Sequence, residues 1–225
     1  MSGGIVLELK AVAYYHGPFG SKFGIPRQSG LSGVEGRIVF EKEYRSAEAL
    51  KGIEGFDRLW LIWGFSANPE AVSWHPTVRP PRLGGNQSVG VWATRSPFRP
   101  NPLGLSCVEF AGLDGLDILV RGADLMDGTP VYDIKPYVVY ADSFPDAARG
   151  FVDGAPAARL KVIFPEGFPE EYRAVLEEVL SMDPRPAYQD EPGRIYGFPF
   201  YGRDLRFRVV GDTLEVLQWD IKGCR

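Results

Sequence analysis

A chain of 225 residues, 44% of them apolar, can bury the core of one large domain or two modest ones. Its formal net charge of −4 argues against a protein that coats nucleic acid indiscriminately. Two cysteines, Cys107 and Cys224, and two histidines, His16 and His75, form neither a disulfide framework nor an ordinary zinc ligand set, so no metal is expected. The start MSGGIVLELKAVAYY lacks a basic region followed by a long apolar run, and no stretch approaches eighteen uninterrupted apolar residues, which predicts a cytoplasmic protein.

Along the first 150 residues, apolar alternation and β-branched or aromatic clusters recur between Gly, Pro and Asp. They predict strands over 5–14, 36–44, 59–65, 89–93, 105–110, 116–121 and 131–140. One short helix is expected at 47–51, with Ser46 as N-cap and Gly52 ending it. So many short strands must close or cover their edges, which predicts a mainly β fold whose N-terminal domain is a closed β-barrel; an open sandwich is the alternative. FVDGAPAAR interrupts the pattern and sets a domain boundary near residue 155. Beyond it, a helix begins at Pro169 with Glu170 and Glu171 in its first turn and stops before Asp183-Pro184. Strands over 195–201, 205–210 and 214–219 complete a small α+β C-terminal domain, residues 156–225.

The charge is unevenly spread. No acidic residue lies between Glu70 and Glu109, whereas Arg79, Arg82, Arg95 and Arg99 all do. In GVWATRSPFRPNP, Pro97, Pro100 and Pro102 stiffen the chain that carries Arg95 and Arg99, and a rigid guanidinium suits a phosphate or carboxylate. Either these arginines form an anion-binding surface or they pair with the protein's own Asp124, Asp127, Asp133 or Asp142. The common dinucleotide, nucleoside-triphosphate and serine-hydrolase signatures, G-x-G-x-x-G between strand and helix, G-x-x-x-x-G-K-[ST] and G-x-S-x-G, are absent. Taken one at a time, GIPRQSGL at 24–31 reads as a surface turn and RPPRLGGN at 79–86 as a rigid linker. DLMDGTPVYDIKPY at 124–137 reads as a hairpin in which Asp133 and Lys135 share one side of a strand.

Together, PRQSGL, GFDRLWLIWGF, RPPRLGGN, GVWATRSPFRPNPLGLS and DGTPVYDIKPY, in this order and at these separations, resemble the TsaA-like (TrmO, formerly YaeB) family of tRNA methyltransferases. The match spans most of residues 20–145 and continues more weakly through DPRPAY at 183–188. The resemblance implies a barrel enzyme that uses S-adenosyl-L-methionine and works as a homodimer. It further implies methylation of the exocyclic nitrogen of threonylcarbamoyladenosine beside the anticodon of threonine tRNAs. Such a transfer needs donor and acceptor held in line, without a metal or covalent nucleophile.

On the same resemblance, cofactor contacts are expected from Pro26, Arg27 and Gln28; from Ser66 and Ala67; from Arg95 and Leu105; and from Arg121, Gly122, Ala123, Asp124, Leu125, Met126 and Asp127. Ser66-Ala67 departs from the His-Gln pair of some members, which leaves a backbone contact there. The acceptor nitrogen is a poor nucleophile and must lose a proton, for which Asp127 and Asp133 are the candidate catalytic carboxylates, with a backbone carbonyl as rival. Arg79, Arg82, Arg99, Lys135, Arg185 and Arg194 are candidates for tRNA phosphates, and Tyr188 for stacking on an anticodon-loop base. Two other readings fit the same residues: a non-catalytic RNA-binding barrel, and a methyltransferase acting on a small molecule.

Overall fold

The structure is a computed structural model that describes residues 8–66, 74–80, 83, 85–152, 160–185, 191 and 193–221. In chain order the elements are β1 (Ala13–His16), β2 (Glu35–Phe40), α1 (Ala47–Leu50), β3 (Arg58–Gly64), β4 (Thr77–Val78), β5 (Val89–Gly90), β6 (Leu103–Asp114), β7 (Asp117–Arg121) and β8 (Thr129–Pro136). Then follow α2 (Val139–Asp142), β9 (Lys161–Ile163), α3 (Glu170–Ser181), β10 (Ile195–Phe200), β11 (Arg203–Val210) and β12 (Thr213–Ile221).

Six strands close into a barrel in the order β1-β2-β7-β6-β3-β8, all paired antiparallel. Closure removes the sheet edges that an open sandwich would expose. Inward residues such as Tyr15, Ile38, Leu59, Leu61, Val108, Ile118 and Val131 form its core. The Tyr15 ring is admitted only because Gly17 and Gly36 lack a Cβ, which would sit 2.3 Å from its atoms at either position. Since all pairs are antiparallel, the connections 17–34, 65–102 and 122–128 leave and re-enter the barrel at one end.

The second sheet runs β10-β11-β12-β9, with α3 packed on it through Leu176, Val179 and Leu180. The connection 17–34 belongs to both units. Phe19 bridges to Phe200, the N–H of Tyr201 donates to the Pro18 carbonyl at 2.8 Å, and Phe19 and Val34 are fully buried in the second core. The boundary expected at residue 155 lies outside the described residues.

Several expected elements differ. Residues 8–12 are not strand, and β1 starts only where pairing with β2 and β8 begins. The 131–140 strand ends at Pro136, whose ring has no N–H to give to a ladder, and 139–142 turn helical. Residues 89–93 hold two strand residues and then a 3-10 turn. Ser46 holds the N-cap position of α1 as expected but makes no capping bond to the helix backbone; its hydroxyl donates to Glu48 Oε2 at 2.7 Å. Pro169 flanks α3 rather than opening it. The three-residue β9 carried no recognisable period and exists because β12 offers it a parallel partner.

Candidate active site

The three connections at the shared barrel end enclose a cavity of about 450 Å³. That is within the range of small-molecule sites. Its apolar wall comes from Trp63, Phe65, Leu103, Leu105 and Met126, and its polar groups include Arg27, Gln28, Arg95, Arg99, Lys22 and Asp124. Gly104 makes the wall possible: a Cβ there would meet the Trp63 ring at 2.2 Å.

Each wall is locally determined. Gly122 adopts φ +76 and stitches two connections together, its N–H donating to Val34 and its carbonyl accepting from Gly30. Glu178 of α3 accepts the Gly33 N–H at 2.6 Å, so the second domain pins the segment that carries Arg27 and Gln28. The proline-rich segment is braced from within. The Arg99 guanidinium donates through Nη2 to the carbonyls of Val91 (3.1 Å) and Thr94 (2.7 Å) and lies 5.7 Å from the Trp92 ring centroid.

Asp124 is the sole carboxylate among the described lining residues. Trp63 Nε1 donates to the buried Ser106 Oγ at 2.9 Å, and Ser106 in turn donates to Asp124 Oδ1 at 2.5 Å. Burial pushes the Asp124 carboxyl above the ordinary carboxylate value. The Ser106 hydroxyl, the Arg95 charge and the Ser29 backbone pull the other way. Arg95 donates to Gln28 Oε1, and Arg99 Nε is buried without a partner among the described residues. A cavity with arginine guanidiniums, a constrained carboxylate and an aromatic wall fits a ligand carrying a carboxylate, a positive charge and a flat ring.

Of the residues singled out from the sequence, Pro26, Arg27, Gln28, Ser66, Arg95, Leu105, Asp124 and Met126 line this cavity. Others do not. Arg121, at the end of β7, turns to Glu35 (2.9 Å) and Glu109 (3.4 Å), because its neighbours across the ladder are acidic. Gly122, Ala123 and Leu125 serve the barrel instead, the last two buried in its core. Asp127 Oδ1 accepts from His16 Nδ1 (3.1 Å) and from the Gly17 N–H (3.3 Å). Asp133 pairs with Lys135 at 2.8 Å along β8. Neither carboxylate lines the cavity: Asp127 sits in the turn before β8 and Asp133 further along that strand, each held by the partners just named.

Among the phosphate candidates, Arg79 lines an adjoining groove. Arg99 is occupied by its own loop and Lys135 by Asp133. Arg185 donates to Asp183 through Nε (2.8 Å) and Nη2 (2.9 Å), a clamp that leaves its side chain largely buried. Arg194 pairs with Glu191 and lies over the Tyr196 ring. Ala67, Arg82 and Tyr188 lie outside the described residues. Sequence reasoning missed Trp63, Gly104 and Ser106. A lone serine alternating with apolar residues in LGLSCVEF was their signal, since a buried hydroxyl needs a partner.

Among the described residues, no cluster of three or more His, Cys, Asp or Glu could hold a metal ion, and no helix is long and apolar enough to cross a membrane. Residues 14–143 match the family model of the tRNA-methyltransferase O N-terminal domain, and 156–221 match that of the TrmO C-terminal domain. A relative from Escherichia coli K12, described as a tRNA (adenine(37)-N6)-methyltransferase, is 38% identical over 226 residues, covering 93% of this chain and 96% of its own. Another, from Pseudomonas aeruginosa, described as a putative S-adenosylmethionine-dependent methyltransferase, is 39% identical, covering 96% of this chain and 98% of its own. The crystal structure of TrmO from the same organism superposes with a TM-score of 0.79 at 31% identity, covering 97% of this chain and 99% of its own.

Proposed function

We propose, from the premise that this chain belongs to the tRNA-methyltransferase O family, that it methylates the exocyclic nitrogen of threonylcarbamoyladenosine at position 37 of threonine tRNAs. At the coarser level it is an S-adenosylmethionine-dependent methyltransferase of the tRNA adenine-37 N6 family. The observation that carries the reading is the barrel-end cavity in which Asp124 faces Arg27, Arg95 and an aromatic wall. The cofactor, when bound, supplies an electrophilic methyl group on a sulfonium.

The chain's own residues divide the remaining work. Arg95 and Arg27 suit the cofactor's carboxylate, and Trp63, Phe65 and Leu105 offer its ring an apolar bed that excludes water. Ionised Asp124 balances a cationic donor in a site of low dielectric. Because Ser106 holds its Oδ1, the carboxylate keeps one orientation, and the acceptor's proton has Asp124 as its nearest carboxylate destination among the described lining residues. In this reading Asp124, which lines the cavity, accepts the proton in preference to Asp127 and Asp133, which do not.

Residues 1–155 form the methyltransferase domain in this reading, and 156–225 a tRNA-binding accessory that also fixes the 28–33 segment. The enzyme is a cytoplasmic homodimer, for whose contact the exposed Val139, Tyr140 and Phe144 offer apolar surface.

Mass spectrometry of nucleosides from tRNA incubated with the protein and S-adenosylmethionine tests the function. One added methyl group on threonylcarbamoyladenosine is expected. Methylation of unmodified adenosine alone, or of no nucleoside, refutes it.

A further inference from the structure

Beside the cavity runs a larger groove of about 1690 Å³, which shares Arg27, Gln28 and Arg95 with it. Its described lining holds four arginines, Arg27, Arg79, Arg95 and Arg149, with His75 and no carboxylate. In a chain of net charge −4 such a surface is selective for anions.

Trp92 lines the same groove and is 71% exposed. The β4–β5 ribbon explains its position. Thr77 pairs with Gly90 and the Val91 N–H donates to the Pro76 carbonyl, so Trp74, just before the ribbon, meets Trp92, just after it. The two indoles stack with centroids 6.4 Å apart and planes 27° from parallel. Arg99, over Trp92, props the ring from the loop side. Two large aromatic faces held in water along a groove whose Arg79 and Arg149 have no carboxylate partner among the described residues serve no core.

We propose that the Trp74–Trp92 pair is a stacking platform for an unpaired RNA base next to the nucleotide being modified, with Arg79 and Arg149 on the flanking phosphates. This rests on the tRNA reading given above. The shared arginines make the geometry continuous: one nucleotide reaches the mouth of the cavity, where the cofactor's methyl group is presented, while its neighbour lies on the indole. Aromatic faces accept any base, so the platform supplies affinity for a splayed single strand, and sequence choice lies elsewhere.

The test measures the affinity of the full-length protein for an anticodon stem-loop RNA and for a blunt duplex of equal length, without methyl donor, over a salt series. Trp92→Ala weakens stem-loop binding about 5- to 100-fold with an unchanged salt slope, Trp92→Phe recovers most of it, and duplex binding is unaffected. Arg149→Ala lowers the salt slope by about one instead. Should Trp92→Ala lower the melting temperature, Trp74→Ala and Trp92→Phe carry the comparison. Unchanged stem-loop affinity, a loss shared equally by the duplex, or a change of oligomeric state in place of RNA affinity overturns the platform. Wild-type protein that binds no RNA overturns the tRNA reading itself, whereas wild-type binding with indifferent tryptophan variants overturns only this inference.

Discussion

The hydroxyl of Ser106 lies 2.5 Å from Oδ1 of Asp124 and binds the one carboxylate among the described lining residues of the cavity. A strand residue and a loop residue 18 positions apart thus share one proton position at the barrel mouth. Burial raises the Asp124 pKa, so folding favours its protonated form. Its contribution to stability is therefore greatest below the ordinary carboxylate value and is lost as pH rises through the raised one. At pH 7, Asp124→Asn therefore raises the melting temperature of the ligand-free protein while lowering kcat/KM by about 100-fold or more. Thermal scans and methyl-incorporation rates check both halves, and a variant destabilised at pH 7 contradicts the assignment. Titration calorimetry adds a third reading, since affinity for the cationic cofactor falls as pH drops through the raised value.

If Asp124 is the working carboxylate, the two others are bystanders. Asp127 and Asp133 are half exposed and engaged with His16 and Lys135. Exposed ion pairs contribute about 0–1 kcal/mol, so Asp127→Asn and Asp133→Asn retain cofactor affinity and turnover within about fivefold. A 100-fold loss of turnover in either variant, with cofactor affinity intact, returns the catalytic role to that residue.

Gly104→Ala tests the aromatic wall. The new methyl would sit 2.2 Å from the Trp63 ring, so either the ring or strand β6 shifts. Overpacking of this kind costs about 1–3 kcal/mol, read from the urea midpoint, and the displaced indole loses its bond to Ser106. Wild-type stability would mean that the ring relocates freely and is not a fixed wall.

Glu178→Ala probes the second domain's hold on the site. Loss of the charged acceptor for the Gly33 N–H loosens the segment bearing Arg27 and Gln28. A loss of about 1–2 kcal/mol corresponds to a cofactor Kd weaker by roughly 5- to 30-fold. Equilibrium dialysis measures it; an unchanged Kd places the pinning of this segment in its backbone bonds to Gly122 alone.

Local sequence determined the strands whose residues alternate, such as 58–64 and 203–210, and the helix 170–181. It also determined the stiffness of the Arg95–Arg99 segment, because periodicity, turn residues and fixed proline angles act over a few neighbouring positions. The motifs that mark the family are equally local. Tertiary structure decided the rest. Barrel closure needs β1 to meet β8, with Ala13 opposite Val131, a pairing that no short window encodes. It made Phe19 and Val34 part of the second domain's core, and it gave β9 a partner in β12. Of Asp124, Asp127 and Asp133 it brought only the first into the lining of the cavity. Which carboxylate faces a cavity depends on strand register and on hydroxyls supplied from distant residues, and these are settled only when the sheet closes.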